Sequence, residues 1–457
     1  MAVTASRRGF FKRSMGACAS LAGLGAAGEA AAENDAEEVA WSRGVPVRYE
    51  ADVAVVGGGI SGVCAAMAAA RKGARVVLAE NFGMVGGNAT VGGVASFCGE
   101  TAGQGAVFDE IIQSLEEFDA IESYAPYPEK DNRVFNHELL AVLLQELLLK
   151  HKVKLLLHTR FVDALVRDGR IAECIVCGPS GPEALRARQF VDCTGEAQLA
   201  HMAGFGTMKG REKDGLQLPM SMMYFVRHVP EKHARNEVVP GWFEPFEERE
   251  DLPMTSVWPN GPGGNALKLK IPMFDATDTE SLTAAEIAGR RRMMQVLDYY
   301  QRVEGKPWLL DHASGRIGIR EGRRIVGEYV LKVEDLRAAR EFDDAVARGV
   351  YVLDGHKPDD DKRTYILPKE ERIVPPYQIP FRSLRPKDAE NLLAAGRCLS
   401  ADQLAMSSAR VMTSCAMMGQ AAGVAAARAA EQGIGLSKLD PLDVRKAVVD
   451  WGANLDV

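Results

Sequence analysis

The sequence carries no surplus of positive charge: 55 Lys and Arg stand against 62 Asp and Glu in 457 residues, a formal net charge of −7. An acidic body of this kind does not point to nucleic acid or to an anionic membrane surface as a partner. A disulfide framework is also lacking. One of the 8 cysteines, Cys18, lies in the N-terminal leader, and the others are an odd, scattered set. The single CxxC, Cys174-Ile175-Val176-Cys177, falls in a strand, where positions i and i+3 face opposite ways. Gly178 stands where a c-type haem attachment needs histidine, so these read as core cysteines and no metal is expected. Long apolar runs are missing too: beyond the leader no segment reaches the ~20 apolar residues that a membrane span requires.

What is present is a strand, turn, helix, strand unit over residues 52–80, DVAVVGGGISGVCAAMAAARKGARVVLAE. Asp52 to Val56 reads as a buried strand, Gly57, Gly59 and Gly62 form a GxGxxG turn, Ile60 to Lys72 reads as a helix, and Arg75 to Glu80 returns as a strand. The spacing has a physical logic. The first glycine allows a sharp turn, the second lets the backbone approach a pyrophosphate, and the third removes a side chain where helix and strand pack. The helix N-terminus adds amide donors and a positive dipole. Glu80 closes the second strand, where a carboxylate accepts from ribose hydroxyls. The unit occurs once, so no second NAD(P)H domain is expected.

The N-terminus reads as an address. Ser6-Arg7-Arg8-Gly9-Phe10-Phe11-Lys12-Arg13 is a twin-arginine sequence, followed by a mildly apolar run and by Ala30, Ala31 and Ala32. Residues 1–32 are expected to be a Tat export signal, which makes the mature chain periplasmic or otherwise extracytoplasmic; cleavage and retention as an anchor both stay open. The Tat translocase is then a partner during export. Losing the signal takes the net charge to about −10.

Along the rest of the chain, residues 33–50 read as a linker and 51–203 as the first part of a nucleotide-binding domain. That part contains helices over Phe108–Phe118 and Glu138–Lys150, a parallel strand over Lys152–His158, and short antiparallel strands over 160–192. His137 is expected to play a structural role. The βαβ rhythm is lost over 204–380, expected to be an inserted, substrate-facing domain with strands at Met220–Val226 and Lys268–Phe274 and a helix over Ala284–Val303. Its Arg316, Arg320, Arg323 and Arg324 read either as an anion-binding patch for a carboxylate or phosphate or as a solvated or inter-domain ion-pair cluster. The nucleotide-binding domain resumes over 381–437, with a buried strand at Asn391–Gly396 and an alanine-rich helix, Met412 to Glu431. Gly419 and Gly423 in that helix are spaced for close packing, and its N-terminus is expected in the same cleft as the glycine turn. A capping helix fills 438–457.

With these residues in place, the chain resembles the FAD-dependent oxidoreductases of the glutathione-reductase-like superfamily, in particular the broad bacterial family known by that general description. Four stretches carry the resemblance: GGGISG with Glu80 and Gly86 to Thr90, then Asp192 to Glu196, Gly318 to Tyr329, and Asn391 to Ala427. The fold it implies is α/β, a Rossmann-like FAD-binding domain with a mixed sheet and a β-meander plus an inserted α+β substrate domain. It implies non-covalent FAD over Gly57, Gly59, Ile60, Ser61 and Gly62, with Glu80 on the adenosine ribose and Val162 near adenine. Thr194 and Gly195 fall near the pyrophosphate, and Gly396, Arg397, Val411 and Met412 near the ribityl chain and flavin. Asn81, Gly87, Asn88, Ala89 and Cys193 complete the expected cofactor contacts, Cys193 replacing the alanine common in the family.

The resemblance supplies a cofactor and leaves the reaction open. The leading expectation is hydride transfer between a small polar substrate and flavin N5, with electrons exchanged with a quinone, a cytochrome, oxygen or a second substrate. Arg320 and Arg324 are expected to hold substrate, Arg410 to sit at the flavin end, and His312 to transfer a proton. The alternatives are a respiratory reductase of an unsaturated acid, a non-enzymatic flavin carrier, and an NAD-binding dehydrogenase.

Overall fold

The computed structural model describes residues 39, 41–123, 132–238, 240–260, 263–362 and 367–457. The twin-arginine segment and residues 33–38 and 40 of the expected linker lie outside the described residues. The apolar run Val53–Val56 is buried on both faces at the centre of a seven-stranded mixed sheet, which is the Rossmann-like α/β fold that the pattern implied. Strands Lys154–Leu156, Val76–Ala79, Val47–Val56 and Gly181–Asp192 lie side by side and parallel in that order.

The strand Gly181–Asp192 has two partners on its other edge. Its first half pairs antiparallel with Arg170–Gly178, which pairs in turn with Arg160–Arg167, and its last three residues pair parallel with the returning strand Leu392–Ala394. The meander is therefore continuous with the parallel sheet. The first strand also begins five residues earlier than the apolar pattern shows, at Val47. Arg48 and Tyr49 hide there in a polar stretch, held by Glu183 at 2.9 and 3.1 Å.

Two helices set the geometry of the site. Ile60–Arg71 follows the glycine turn, and Met412–Gln432 packs against it. A Cβ placed on Gly419 would lie 2.2 Å from the carbonyl oxygen of Ser61, and one on Gly423 would lie 2.1 Å from that of Ala65. Contacts that advance by four residues on both helices mean that the two run parallel, so both N-termini emerge at the same end of the sheet.

The stretch 204–380 divides mainly between two apolar clusters, with Phe205 and Ile325 in a third beside Ala54 and Phe190. Strands Thr255–Pro259, Gly264–Ile271, Met220–His228 and Trp308–Ala313 form a separate antiparallel sheet, covered by the 24-residue helix Thr279–Arg302 through Ala285, Val296 and Leu297. The pair Ala345–Gly349 and Tyr377–Pro380 instead joins the core beneath the long glycine-seamed helix. Residues Val45–Val457 make one compact unit. Among the described residues no helix is long and apolar enough to cross a membrane.

Candidate active site

The glycine turn, both helix N-termini and the inserted sheet enclose one cavity of about 700 Å³. Each fingerprint glycine has its own reason to lack a side chain. Gly57 has φ +96°, and a Cβ on it would lie 2.5 Å from the Cys193 carbonyl oxygen, so the turn nests on the Asp192–Glu196 turn. A Cβ on Gly62 would lie 1.9 Å from the Gly57 carbonyl oxygen. Gly59 has nothing within 4 Å of such a Cβ and lines the cavity, which leaves its surface open to a ligand. Gly59 is also the N-cap of Ile60–Arg71, and no side chain caps that helix. The orphan amides of its first turn therefore face the cavity, a ready phosphate site.

Glu80 is buried, and accepts from the Gly58 amide at 2.6 Å and from the Phe82 amide at 2.8 Å. Burial pushes its carboxyl up, while the amides and Arg316 pull the other way. Across the turn, the fully buried Asp192 braces its loop by accepting from Thr194 Oγ1 at 2.7 Å and from the Ala200 amide at 3.0 Å. Gly195 has φ +80°, and a Cβ there would meet the Arg397 guanidinium at 2.0 Å. Arg397 is tied to Glu196 at 2.8 Å, and Glu196 also faces Arg316 at 3.6 Å. At the opposite end, Val411 caps Met412–Gln432 with no side-chain hydrogen bond, so a second helix dipole points its positive end into the cavity.

The residues expected from the sequence sort clearly. Gly57, Gly59, Ile60, Ser61, Glu80 and Asn81 line the cavity, as do Gly87, Asn88 and Ala89 of the glycine-rich loop. So do Cys193, Thr194, Gly195, Arg397, Val411 and Met412, and of the expected substrate groups Arg320 and Arg410. Gly62 and Gly396 stand behind the lining: a Cβ on Gly396 would meet Ser61 Oγ at 2.6 Å, so this glycine lets the two turns approach. Val162 is 42% exposed, and its neighbours Arg160 and Phe161 line the cavity instead. A register shift between Phe161 and Asp163 turns the strand there.

Arg324 and His312 lie away from the cavity lining. Arg324 is buried in an ion pair with Glu321 and donates to the Gly210 carbonyl at 3.1 Å, while Glu321 accepts from the Leu218 amide at 2.8 Å. That is a bracing node within the protein. His312 stacks on Phe225 at 4.3 Å, with His137 stacked on the same ring at 4.7 Å. His137 is buried, which lowers its pKa, and its packing is structural. Among the described residues one trio, His137, Glu138 and His312, brings its ligand atoms within 4.8 Å of one another. The two imidazole planes are only 28° from parallel, so their in-plane lone pairs do not converge on one ion.

Sequence reasoning missed the wall contributed by the inserted sheet. Lys268 and Lys270 both line the cavity, with Ser221, Asp354 and His356. Arg320 donates to the Pro219 carbonyl at 3.2 Å and to the Ser221 hydroxyl, and Arg410 pairs with Asp354 at 2.6 Å. His356 Nε2 lies 2.8 Å from Lys270 Nζ and 3.1 Å from Asp354 Oδ1. Burial and the neighbouring Arg320 lower both lysines, Lys270 strongly. Burial and Lys270 push His356 down to about 2. Burial would raise Asp354, but His356, Arg410 and Arg320 outweigh it and hold the carboxyl well below the usual range. The one sequence signal was the alternation Lys268-Leu269-Lys270, which puts both lysines on one strand face. Nothing local showed that this face turns inward.

Open space at Gly59, two uncapped helix N-termini and the Glu80 carboxylate suit a dinucleotide laid along the cavity, so the residues present fit FAD. The chain is similar in structure to a geranylgeranyl bacteriochlorophyll reductase-like protein from Thermoplasma acidophilum, with 12% identity over 89% of this chain and 92% of that one and a TM-score of 0.46. It is also similar to CabE, an aromatic hydroxylase from angucycline biosynthesis, with 16% identity over 88% and 68% of the two chains and a TM-score of 0.45. A triple mutant of the flavin-dependent brominase Bmp2 matches with 11% identity over 88% and 84% and a TM-score of 0.44. No curated protein matches the chain. The profile described as FAD dependent oxidoreductase matches residues 52–448, nearly the whole described chain, and the protein belongs to that family of FAD-dependent oxidoreductases.

Proposed function

We propose that this chain is an exported oxidoreductase that moves a hydride between a small polar substrate and N5 of FAD, and that it exchanges electrons with a quinone or a cytochrome and not with NAD(P)H. The observation that carries the reading is a single cavity running from the glycine turn, past two uncapped helix N-termini, to a wall of charged side chains on the inserted sheet. Bound FAD supplies two-electron chemistry at N5. The chain supplies position and charge. Arg320, anchored by the Pro219 carbonyl and Ser221, orients the substrate's polar group. Arg410, held by Asp354, adds positive charge at the N-terminal end of the long helix. Lys270, His356 and Asp354 form a hydrogen-bonded row at the same wall and are suited to take up or return the proton that accompanies a hydride.

The assignment of Arg320 is tested by Arg320→Ala. In an anaerobic stopped-flow screen of sugars, polyols, hydroxy acids and unsaturated acids, the variant should keep its flavin band near ~450 nm. Its rate with any substrate that reduces the wild type should fall roughly 10–100-fold, the worth of one charge-assisted hydrogen bond. Loss of flavin, or an unchanged rate, removes Arg320 from substrate binding. The basic character of the wall favours a second reading in the reverse direction, reduction of an unsaturated acid; reoxidation of the chemically reduced protein by such acids separates the two.

Export rests on Arg7-Arg8 and the apolar run behind them. The Tat route carries folded proteins, which lets the cofactor be inserted beforehand. Replacing Arg7 and Arg8 together by lysine should leave the precursor in the cytoplasm on fractionation. Wild-type export of that double variant would contradict the assignment.

A further inference from the structure

Residues 314–320 leave the inserted sheet after Ala313 and run along the cavity to the loops of the nucleotide-binding domain. Both sides hold this segment. Toward the inserted domain, Gly318 exchanges backbone hydrogen bonds with Ser221 at 2.7 and 2.9 Å, and the Ile317 amide donates to Glu286 at 2.8 Å. Toward the cofactor loops, the Ile319 carbonyl accepts from the Asn88 side chain at 2.9 Å and from Arg397 at 2.5 Å. A backbone tied on both sides delivers its side chains to fixed places. Of its arginine cluster, Arg324 pairs with Glu321 and Arg320 faces the charged wall, while Arg316 turns to the nucleotide loops.

Arg316 lines the cavity with its guanidinium over the Phe82 ring, 5.1 Å from the ring centre, and 3.6 Å from Glu196. Its charge also favours the ionised form of Glu80. Phe82 and Glu80 belong to the loop at the end of the second strand, and Glu196 closes the turn that carries Thr194 and Gly195. One guanidinium therefore spans the two loops that bound the nucleotide half of the cavity. Its charge is answered there, but its hydrogen-bonding capacity is not used. A cation over a ring needs no acceptor, Glu196 already accepts from Arg397 at 2.8 Å, and among the described residues Arg316 makes no hydrogen bond.

We infer that Arg316 is a cofactor-binding residue supplied by the inserted domain, donating to the diphosphate of FAD. The diphosphate is the anionic part of that cofactor, and a planar guanidinium matches phosphate oxygens in pairs. The uncapped helix at Gly59 offers amide donors with no full charge; Arg316 adds the charge. FAD would then tie the inserted domain to the nucleotide-binding sheet. The inference needs FAD as the cofactor and is independent of which substrate the flavin oxidises or reduces.

The test uses the full-length, FAD-loaded protein and follows release of FAD by its fluorescence, so no turnover is required. Arg316→Met should weaken FAD binding roughly 10-fold or more, the worth of one or two charge-assisted hydrogen bonds, and Arg316→Lys should recover part of it. Competition locates the contact. ADP carries the same diphosphate and should displace FAD equally well from wild type and variant, whereas adenosine, which has no phosphate, should compete roughly 10-fold better in the variant. Unchanged FAD affinity in Arg316→Met overturns the inference. So does a variant in which adenosine competes no better than in wild type, because FAD, ADP and adenosine have then weakened alike and Arg316 only shapes the pocket through Phe82 and Glu196. If Arg316→Met does not fold, Arg316→Lys carries the same comparison, with weaker FAD binding and improved adenosine competition expected and wild-type behaviour in both overturning the assignment.

Discussion

A Gly59→Ala variant is expected to melt at the temperature of the wild-type apoprotein and to hold FAD roughly 10–100-fold more weakly, the effect of about 1–3 kcal/mol of steric conflict. The contrast between these two results is the informative part. Gly59 has φ −65° and ψ 178°, a conformation open to any L-residue, and a Cβ there meets no protein atom within 4 Å. Nothing in the folded chain objects to alanine, so the fold should not change. The space is empty of protein because it belongs to the ligand, and a methyl group there pushes a diphosphate away from the helix amides. Apoprotein melting followed by circular dichroism, with FAD titrated against flavin fluorescence, checks both halves. A variant that unfolds would make Gly59 a packing glycine; one that binds FAD normally would move the diphosphate elsewhere.

The second large effect concerns the seam between the two parallel helices. Helix propensity alone says that Gly419→Ala, in the middle of Met412–Gln432, should stabilise the protein by about 0.8–1 kcal/mol. The structure reverses the sign. The added Cβ would lie 2.2 Å from the Ser61 carbonyl oxygen and 2.9 Å from the Ser61 Cα, and these are backbone atoms that cannot swing aside. Overpacking at such a contact costs about 1–3 kcal/mol, so the net change should be a loss of stability. Because Ser61 stands in the first turn of the fingerprint helix, the displacement should also weaken FAD binding. Urea denaturation of the apoprotein supplies the stability change. A stabilised variant would mean that the helices are farther apart than described. Gly423→Ala should behave alike, and the double variant should lose less than the sum, since the first substitution already opens the seam.

Much of the cofactor half of the site was legible because its signals are local. A GxGxxG turn between a buried strand and a helix constrains its own neighbours, so Gly57, Gly59 and Glu80 could be assigned from spacing, and all three line the cavity. Even the packing role of Gly419 and Gly423 was visible from their spacing, though not the identity of the partner backbone. Where the reading drifted, distance along the chain was the cause. Arg320 and Arg324 sit four residues apart in one cluster, yet one reaches the cavity and the other closes an ion pair with Glu321.

The sequence by itself determined the Rossmann-like sheet, the place of the glycine turn and the FAD class, since backbone conformation and short-range periodicity are written residue by residue. Only the tertiary structure decided which charges gather at the far wall. Lys268 and Lys270 come from one strand, Arg320 from a loop, Asp354 and His356 from another loop, and Arg410 from the end of a short helix. Their meeting depends on how the inserted sheet packs over the nucleotide-binding sheet. No pattern within any one segment encodes that long-range fit.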